Sequence, residues 1–148
     1  MCIIVDANVA ADVFTAGGNP DSDFHAIAAR LFDKDDADVC LSYGGTSLRN
    51  EYARISRVLR LVVELDRQGR LDRADDADVD AEEREVEPYC ESDDPHIIAL
   101  ARSSEGRVLC SHGRTLHQDF LDRRLVSNPR GNVYQNADHR HLIDRHCG

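Results

Sequence analysis

The sequence predicts an α/β fold, a three-layer sandwich with a central parallel sheet between layers of helices. Two observations carry this. Short apolar runs bounded by turns recur along the chain, and stretches of helical periodicity separate them, the alternation that builds a parallel sheet. The first run, Cys2-Ile3-Ile4-Val5, has no polar interruption and reads as a strand buried on both faces. It ends in Asp6, and ligand sites of open parallel sheets lie beyond the carboxyl ends of their strands.

The remaining elements follow in order. Val9 to Phe14 has mixed apolar spacing and stops at the turn Ala16-Gly17-Gly18-Asn19-Pro20. Phe24, Ile27, Ala28, Leu31 and Phe32 recur at three- and four-residue intervals and predict a helix. An acidic loop from Asp33 to Asp38 leads to Val39-Cys40-Leu41-Ser42-Tyr43, a second buried strand closed by Gly44-Gly45. Thr46 or Ser47 caps the next helix, with Asn50 or Glu51 as capping-box partner. Its stripe of Leu48, Tyr52, Ile55, Leu59 and Val62 predicts one helix to about Asp66. Residues 72–87 are an acidic connector, either helix plus loop or a mobile segment. Asp94-Pro95 opens a largely buried helix, since proline suits a first helical position. Arg107 to Ser111 is a further strand, Leu116 to Leu125 a helix, Val133-Tyr134 a last strand, and residues 135–148 a polar tail.

Length and composition bound the rest. The 148 residues make one domain, 1–148, with 41% apolar and 31% charged residues, which excludes a largely disordered chain. No apolar run approaches the roughly 18 to 20 residues that span a bilayer, and no basic leader precedes the opening strand, so the sequence predicts a cytoplasmic protein. The five cysteines, odd in number and without a CxxC pair, predict reduced thiols, with Cys2, Cys40 and Cys110 as small buried hydrophobes. The net charge of −10 gives no general attraction for a polyanion. An acidic excess of this kind is a solvated surface, or in part a cluster held by divalent cations.

Three carboxylates occupy unusual settings: Asp6 after a buried strand, Glu51 flanking its helix's apolar stripe, and Asp94 at a helix amino terminus. Taken singly, Asp94 reads as a cap and Glu51 as an exposed helical residue, whereas Asp6 must find partners. Gathered at one sheet edge they repel unless a hard cation neutralises them. Mg²⁺ or Mn²⁺ takes oxygen ligands, and such an ion stabilises charge on a scissile phosphate.

These residues resemble the PIN domain family of small Mg²⁺- or Mn²⁺-dependent ribonucleases, which includes many toxins. The matching pieces are Ile4-Val5-Asp6-Ala7-Asn8-Val9, Asn50-Glu51-Tyr52, Asp94-Pro95-His96-Ile97-Ile98-Ala99-Leu100-Ala101, and Gly106 with Val108-Leu109-Cys110-Ser111. They span about residues 1 to 125. The resemblance implies Asp6, Glu51 and Asp94 as catalytic metal ligands, with Asn8 and Ser111 as supporting polar residues. It implies in-line attack of water on RNA, single-stranded or structured, and an antitoxin protein and a homodimer as partners in toxin-type members. The chain departs from the pattern after Ser111. Relatives carry a fourth acidic residue there, and this chain has His112 and Gly113, with Asp119 the nearest carboxylate, either a stand-in or a surface residue of its helix. A PIN-like domain that has lost catalysis and binds RNA or protein is the competing reading.

Other motifs weigh less. The tail histidines His139, His141 and His146 with Cys147 fit no closed zinc pattern. His25 and His96 read as structural histidines, His96 close enough to Asp94 to line the site. Arg102, Arg107, Arg114, Arg123, Arg124 and Arg130 form either a basic rim for RNA or ordinary surface. An Asp-nucleophile phosphatase needs a second Asp two residues after the first, where Asn8 stands.

Overall fold

The computed structural model describes residues 1–35 and 38–144. Five strands, β1 (Cys2–Val5), β2 (Cys40–Tyr43), β3 (Leu71–Arg73), β4 (Gly106–Cys110) and β5 (Asn132–Tyr134), form one sheet in the order β3-β2-β1-β4-β5. Every pairing is parallel. The β1 strand is central, which is why Ile3, Ile4 and Val5 are all fully buried and why its sequence carries no alternation.

Eight helices flank the sheet among the described residues: α1 (Ala7–Thr15), α2 (His25–Leu31), α3 (Thr46–Ala53), α4 (Val58–Arg67), α5 (Asp76–Val86), α6 (Pro95–Ser103), α7 (Arg114–Leu121) and α8 (His141–Asp144). The chain steps outward from β1 through β2 to β3, then returns to place β4 on the other side of β1. Right-handed crossovers in these two directions put helices on both faces, giving the expected three layers. The strand order reverses between β1 and β4, so the carboxyl ends of those two strands flank a crevice. No helix among the described residues is long and apolar enough to cross a membrane.

The structure departs from the sequence reading in several places. The single helix predicted from Thr46 to Asp66 is two, α3 and α4, because Arg57 adopts a left-handed conformation (φ 71°) and turns the axis. The apolar spacing runs in phase across the turn and hides it; Leu48, Tyr52 and Val62 are buried, while Leu59 is left at the surface. Neither Thr46 nor Ser47 caps α3. The cap position is Gly45, with φ 93°, and a side chain there would strike Val79 of α5.

The acidic connector is folded structure. It holds the edge strand β3 and helix α5, whose own cap, Asp75, accepts from the N–H groups of Ala77 and Asp78. The α5 carboxylates satisfy the amino end of α3. Asp76 Oδ1 accepts from Gly45 N–H (2.8 Å), Asp80 from the Thr46 N–H (2.9 Å) and hydroxyl (2.6 Å), and Glu83 from the Ser47 hydroxyl (3.0 Å). Anionic groups at a helix amino terminus complement its unpaired N–H groups and dipole. Part of the acidity of residues 72–87, Asp76, Asp80 and Glu83, is therefore an α3 cap delivered from another helix.

Cys2 and Cys40 form a disulfide, where reduced thiols were expected. The two residues face each other across β1 and β2 with Cα atoms 4.5 Å apart, a register invisible in a sequence separation of 38. Cys90 and Cys110 are free, and Cys147 lies outside the described residues. The polar tail is packed as far as Asp144. Ile143 is fully buried, Arg30 donates to its carbonyl (2.7 Å), and the Nδ1 atoms of His139 and His141 contact backbone. The rest of the histidine tail reading, His146 with Cys147, lies outside the described residues.

One buried cation ties the fold together. Arg70, 4% exposed, donates to the carbonyls of Val39 (2.7 Å), Asp33 (2.6 Å) and Arg30 (2.8 Å), joining the α4–β3 turn to the α2–β2 loop.

Candidate metal centre

Asp6 is the first residue after β1, and its N–H still pairs with the Cys110 carbonyl (3.0 Å), so its position is fixed by the sheet. It stands at the cap position of α1 but its side chain makes no cap hydrogen bond. Instead Oδ2 accepts from the Ser111 hydroxyl (2.9 Å), just beyond β4. Both residues are buried in the crevice where the strand order reverses. Ser111 Oγ also accepts from Gly113 N–H (3.1 Å). Asn8 is exposed on the first turn of α1.

Glu51 is brought to this edge by its neighbour. The fully buried Tyr52 donates its hydroxyl to the Val5 carbonyl (2.5 Å) and packs edge-on to Phe14 and stacked on Tyr43. That bond fixes α3 against the end of β1, and Glu51 turns toward the crevice.

Asp94 occupies the cap position of α6, yet its side chain makes no cap hydrogen bond, so the simple capping role is not realised. The loop before it is held by Asp119. This residue is 4% exposed, and its two oxygens accept from the N–H groups of Glu91 (3.1 Å) and Ser92 (2.9 Å). Asp119 is thus neither a surface residue nor a stand-in ligand; both oxygens are committed to positioning the loop that carries Asp94.

The structure adds His96. It is 7% exposed in the first turn of α6, with Nε2 only 2.5 Å from Glu51 Oε1. The two groups form a close ion pair in which the N–H is not well aligned on the oxygen. One atom from each of Glu51, Asp94 and His96 lies within 4.8 Å of the others. Two of the three predicted ligands are therefore together. Asp6 stands beside the group rather than in it, and His96 takes the third place. The sequence signal for His96 was its position two residues after Asp94 and one after a helix-opening proline, which puts both side chains at the same helix end.

The charges in this crevice work against one another. Burial raises the Asp6 carboxyl above the ordinary carboxylate range; the Ser111 hydroxyl opposes the rise and the Glu51 charge adds to it. Asp94 is raised first by burial and then by the Asp6 charge. For His96, burial is the largest influence and pulls its pKa down, but the close Glu51 carboxylate and then Asp94 outweigh it and leave the pKa raised. Three carboxylates thus face one another partly out of water, with the His96 imidazole as a countercharge that offsets only part of their repulsion.

A divalent cation fits what is missing. Ligands about 2.1 Å from such an ion sit roughly 3 to 4 Å apart; the Glu51, Asp94 and His96 atoms lie within 4.8 Å of one another, with one pair at 2.5 Å, so an ion would draw the set to that spacing. The donor set is two carboxylates and one imidazole, with the buried Nε2 atom lacking a well-aligned hydrogen bond.

After Ser111 no carboxylate reaches this edge from the same loop. His112 is exposed with its ring 5.6 Å from that of Phe24, and Gly113 has no side chain. Of the predicted basic rim, three arginines are engaged. Arg102 pairs with Glu82, Arg107 donates to the Ala101 and Pro129 carbonyls, and Arg124 pairs with Asp122. Arg114, Arg123 and Arg130 are exposed. A groove of about 720 Å³ lined by Tyr89, Arg102, Arg124 and Leu125, among others, includes none of the cluster residues. Compared with protein-family models, with curated proteins and with solved structures, the chain matches none.

Proposed function

We propose that this chain is a metal-dependent endoribonuclease of PIN type, working at the carboxyl edge of β1 and β4. The observation that carries the reading is the convergence of Glu51, Asp94 and His96 within 4.8 Å, beside the buried Asp6, where the strand order reverses. Glu51 and Asp94 would hold a Mg²⁺ or Mn²⁺ ion, with Asp6 adding its charge. The ion supplies Lewis-acid stabilisation of the charge that develops on the phosphodiester.

The chain's own groups supply the rest. Asp6, with raised proton affinity and one oxygen fixed by Ser111, is suited to take a proton from an attacking water. Asp119 holds the 91–92 backbone so that Asp94 faces the crevice. The exposed Arg114, in the first turn of α7, is a counter-charge for RNA phosphates on an otherwise acidic protein. A toxin role, with an antitoxin partner and a homodimer, belongs to the same reading.

A second reading is favoured by the residues after Ser111. With His112 and Gly113 in place of carboxylates, the domain binds RNA or a protein and cleaves weakly or not at all. One experiment separates the two: cleavage of a mixed single-stranded RNA pool with Mn²⁺ by the wild type, Asp94→Asn and Gly113→Asp. A Cβ at Gly113 meets Leu116 and Ser111 at 3.7 Å, ordinary contact, so the substitution fits. Nuclease function requires wild-type cleavage that Asp94→Asn abolishes and Gly113→Asp raises. Capture of RNA without cleavage in the wild type and in Gly113→Asp selects the binding module.

A further inference from the structure

We propose that His96 Nε2 is itself a ligand of the cation, so that the Glu51, Asp94, His96 site takes a first-row transition ion, Mn²⁺ or a later divalent ion, in preference to Mg²⁺. This deepens the metal-site reading above and rests on it. Three observations on separate elements lead here. His96 is 93% buried by its 7% exposure, an expensive place for an imidazole. Its Nε2 atom is paired with a Glu51 carboxylate oxygen at 2.5 Å without the alignment of a well-formed hydrogen bond. That oxygen and the Asp94 carboxylate complete a set of ligand atoms within 4.8 Å.

Two structural alternatives are weaker. A histidine kept only for packing would turn its ring nitrogens to donors or acceptors, as His117 does in placing Nε2 2.7 Å from the Ser111 carbonyl. A histidine kept to orient Glu51 would align an N–H on the carboxylate, as metal-site partners in the second sphere do. His96 does neither. A cation among the three groups would take the nitrogen and Glu51 Oε1 together, each directing a lone pair at the ion instead of sharing one proton. Neutral imidazole is a poor Mg²⁺ ligand and a good one for Mn²⁺ through Zn²⁺, so this nitrogen sets the choice of ion. Mg²⁺ gains from the two carboxylates alone.

Pulsed electron paramagnetic resonance of the Mn²⁺-loaded full chain, with and without ¹⁵N-histidine labelling, tests the inference without a catalytic readout. The expected result is a directly bound nitrogen in the wild type, changed by the label and lost in His96→Gln. Titration calorimetry should show Mn²⁺ affinity falling in His96→Gln by at least the roughly 10- to 100-fold that loss of an outer-sphere partner costs, while Mg²⁺ affinity stays nearly constant. If His96→Gln does not fold, His96→Asn replaces it, and the labelled wild type still reports the bound nitrogen. Mn²⁺ bound without nitrogen coupling, coupling that persists in the variant, or no Mn²⁺ bound at all each overturns the inference. The nuclease reading fails separately: nitrogen coupling without RNA cleavage sinks the nuclease alone, and cleavage without nitrogen coupling sinks the His96 ligand alone.

Discussion

Two sets of carboxylates in this protein obey opposite rules. Where α5 meets α3, and where Asp119 holds the 91–92 loop, each carboxylate discussed has backbone N–H or hydroxyl donors. In the crevice between β1 and β4, Asp6, Glu51 and Asp94 face one another and His96, with a single hydroxyl donor, Ser111, on Asp6. The titration behaviour separates them too. Asp80 is held below the usual carboxylate range by the Thr46 hydroxyl and N–H, whereas Asp6 and Asp94 are pushed above it by burial. Carboxylates well supplied with donors are architecture; on the proposed reading, those crowded together with few donors are where a cation would bind.

The comparison can be broken at its strongest point first. Replacing Asp119 by Ala leaves two part-buried N–H groups without their acceptor, and about 2 kcal/mol of stability should go, a fall in Tm of about 4 to 8 °C for a chain of this size. Thermal unfolding that hardly moves would mean that Asp119 is not architectural. Asp80→Ala, at the more exposed α5–α3 contact, should cost about 1 kcal/mol, as loss of a helix cap does, measured by urea unfolding.

Asp6→Asn should have the opposite sign. Asparagine keeps an acceptor for the Ser111 hydroxyl and removes a buried, repelled charge, so Tm of the protein in EDTA should rise by about 3 °C, roughly 1 kcal/mol. A lower Tm would show that the Asp6 charge already has its partners. The smallest effect is in pH dependence. In the folded state Asp6 and Asp94 keep their protons to higher pH than in the unfolded chain, so their contribution is fully present below the unfolded carboxylate pKa of about 3.9. It is lost as pH rises through their raised values. For Asp80 the sign reverses: its contribution is present above the unfolded value and lost as pH falls. The stability difference between Asp6→Asn and wild type should therefore grow from pH 4 upward in EDTA and shrink when Mn²⁺ is added; a difference independent of pH would contradict the assignment.

How much of this was legible in the sequence follows from the physics of each region. The uninterrupted apolar run of β1 and the Asp94-Pro95 helix start are local signals, and they marked the sheet's centre and the edge where Asp6 and Asp94 stand. The β3 strand was not legible because a three-residue edge strand, Leu71-Asp72-Arg73, buries too little to need an apolar pattern. Nor was the break between α3 and α4, since the stripe keeps its phase through Arg57. The role of α5 was masked by composition, because caps supplied from another helix look like a solvated acidic face. The Cys2–Cys40 pair and the turn of His96 toward Glu51 are matters of register and tertiary packing, which no local window contains.

The central claim is that the crevice carboxylates await a cation, and titration calorimetry with Mn²⁺ on the wild type and Asp94→Asn tests it most directly. Asp94 makes no cap hydrogen bond, so the variant should keep its fold. One ion bound per wild-type chain and none in Asp94→Asn is the expected result. No binding by the wild type, or equal binding by both, would contradict it.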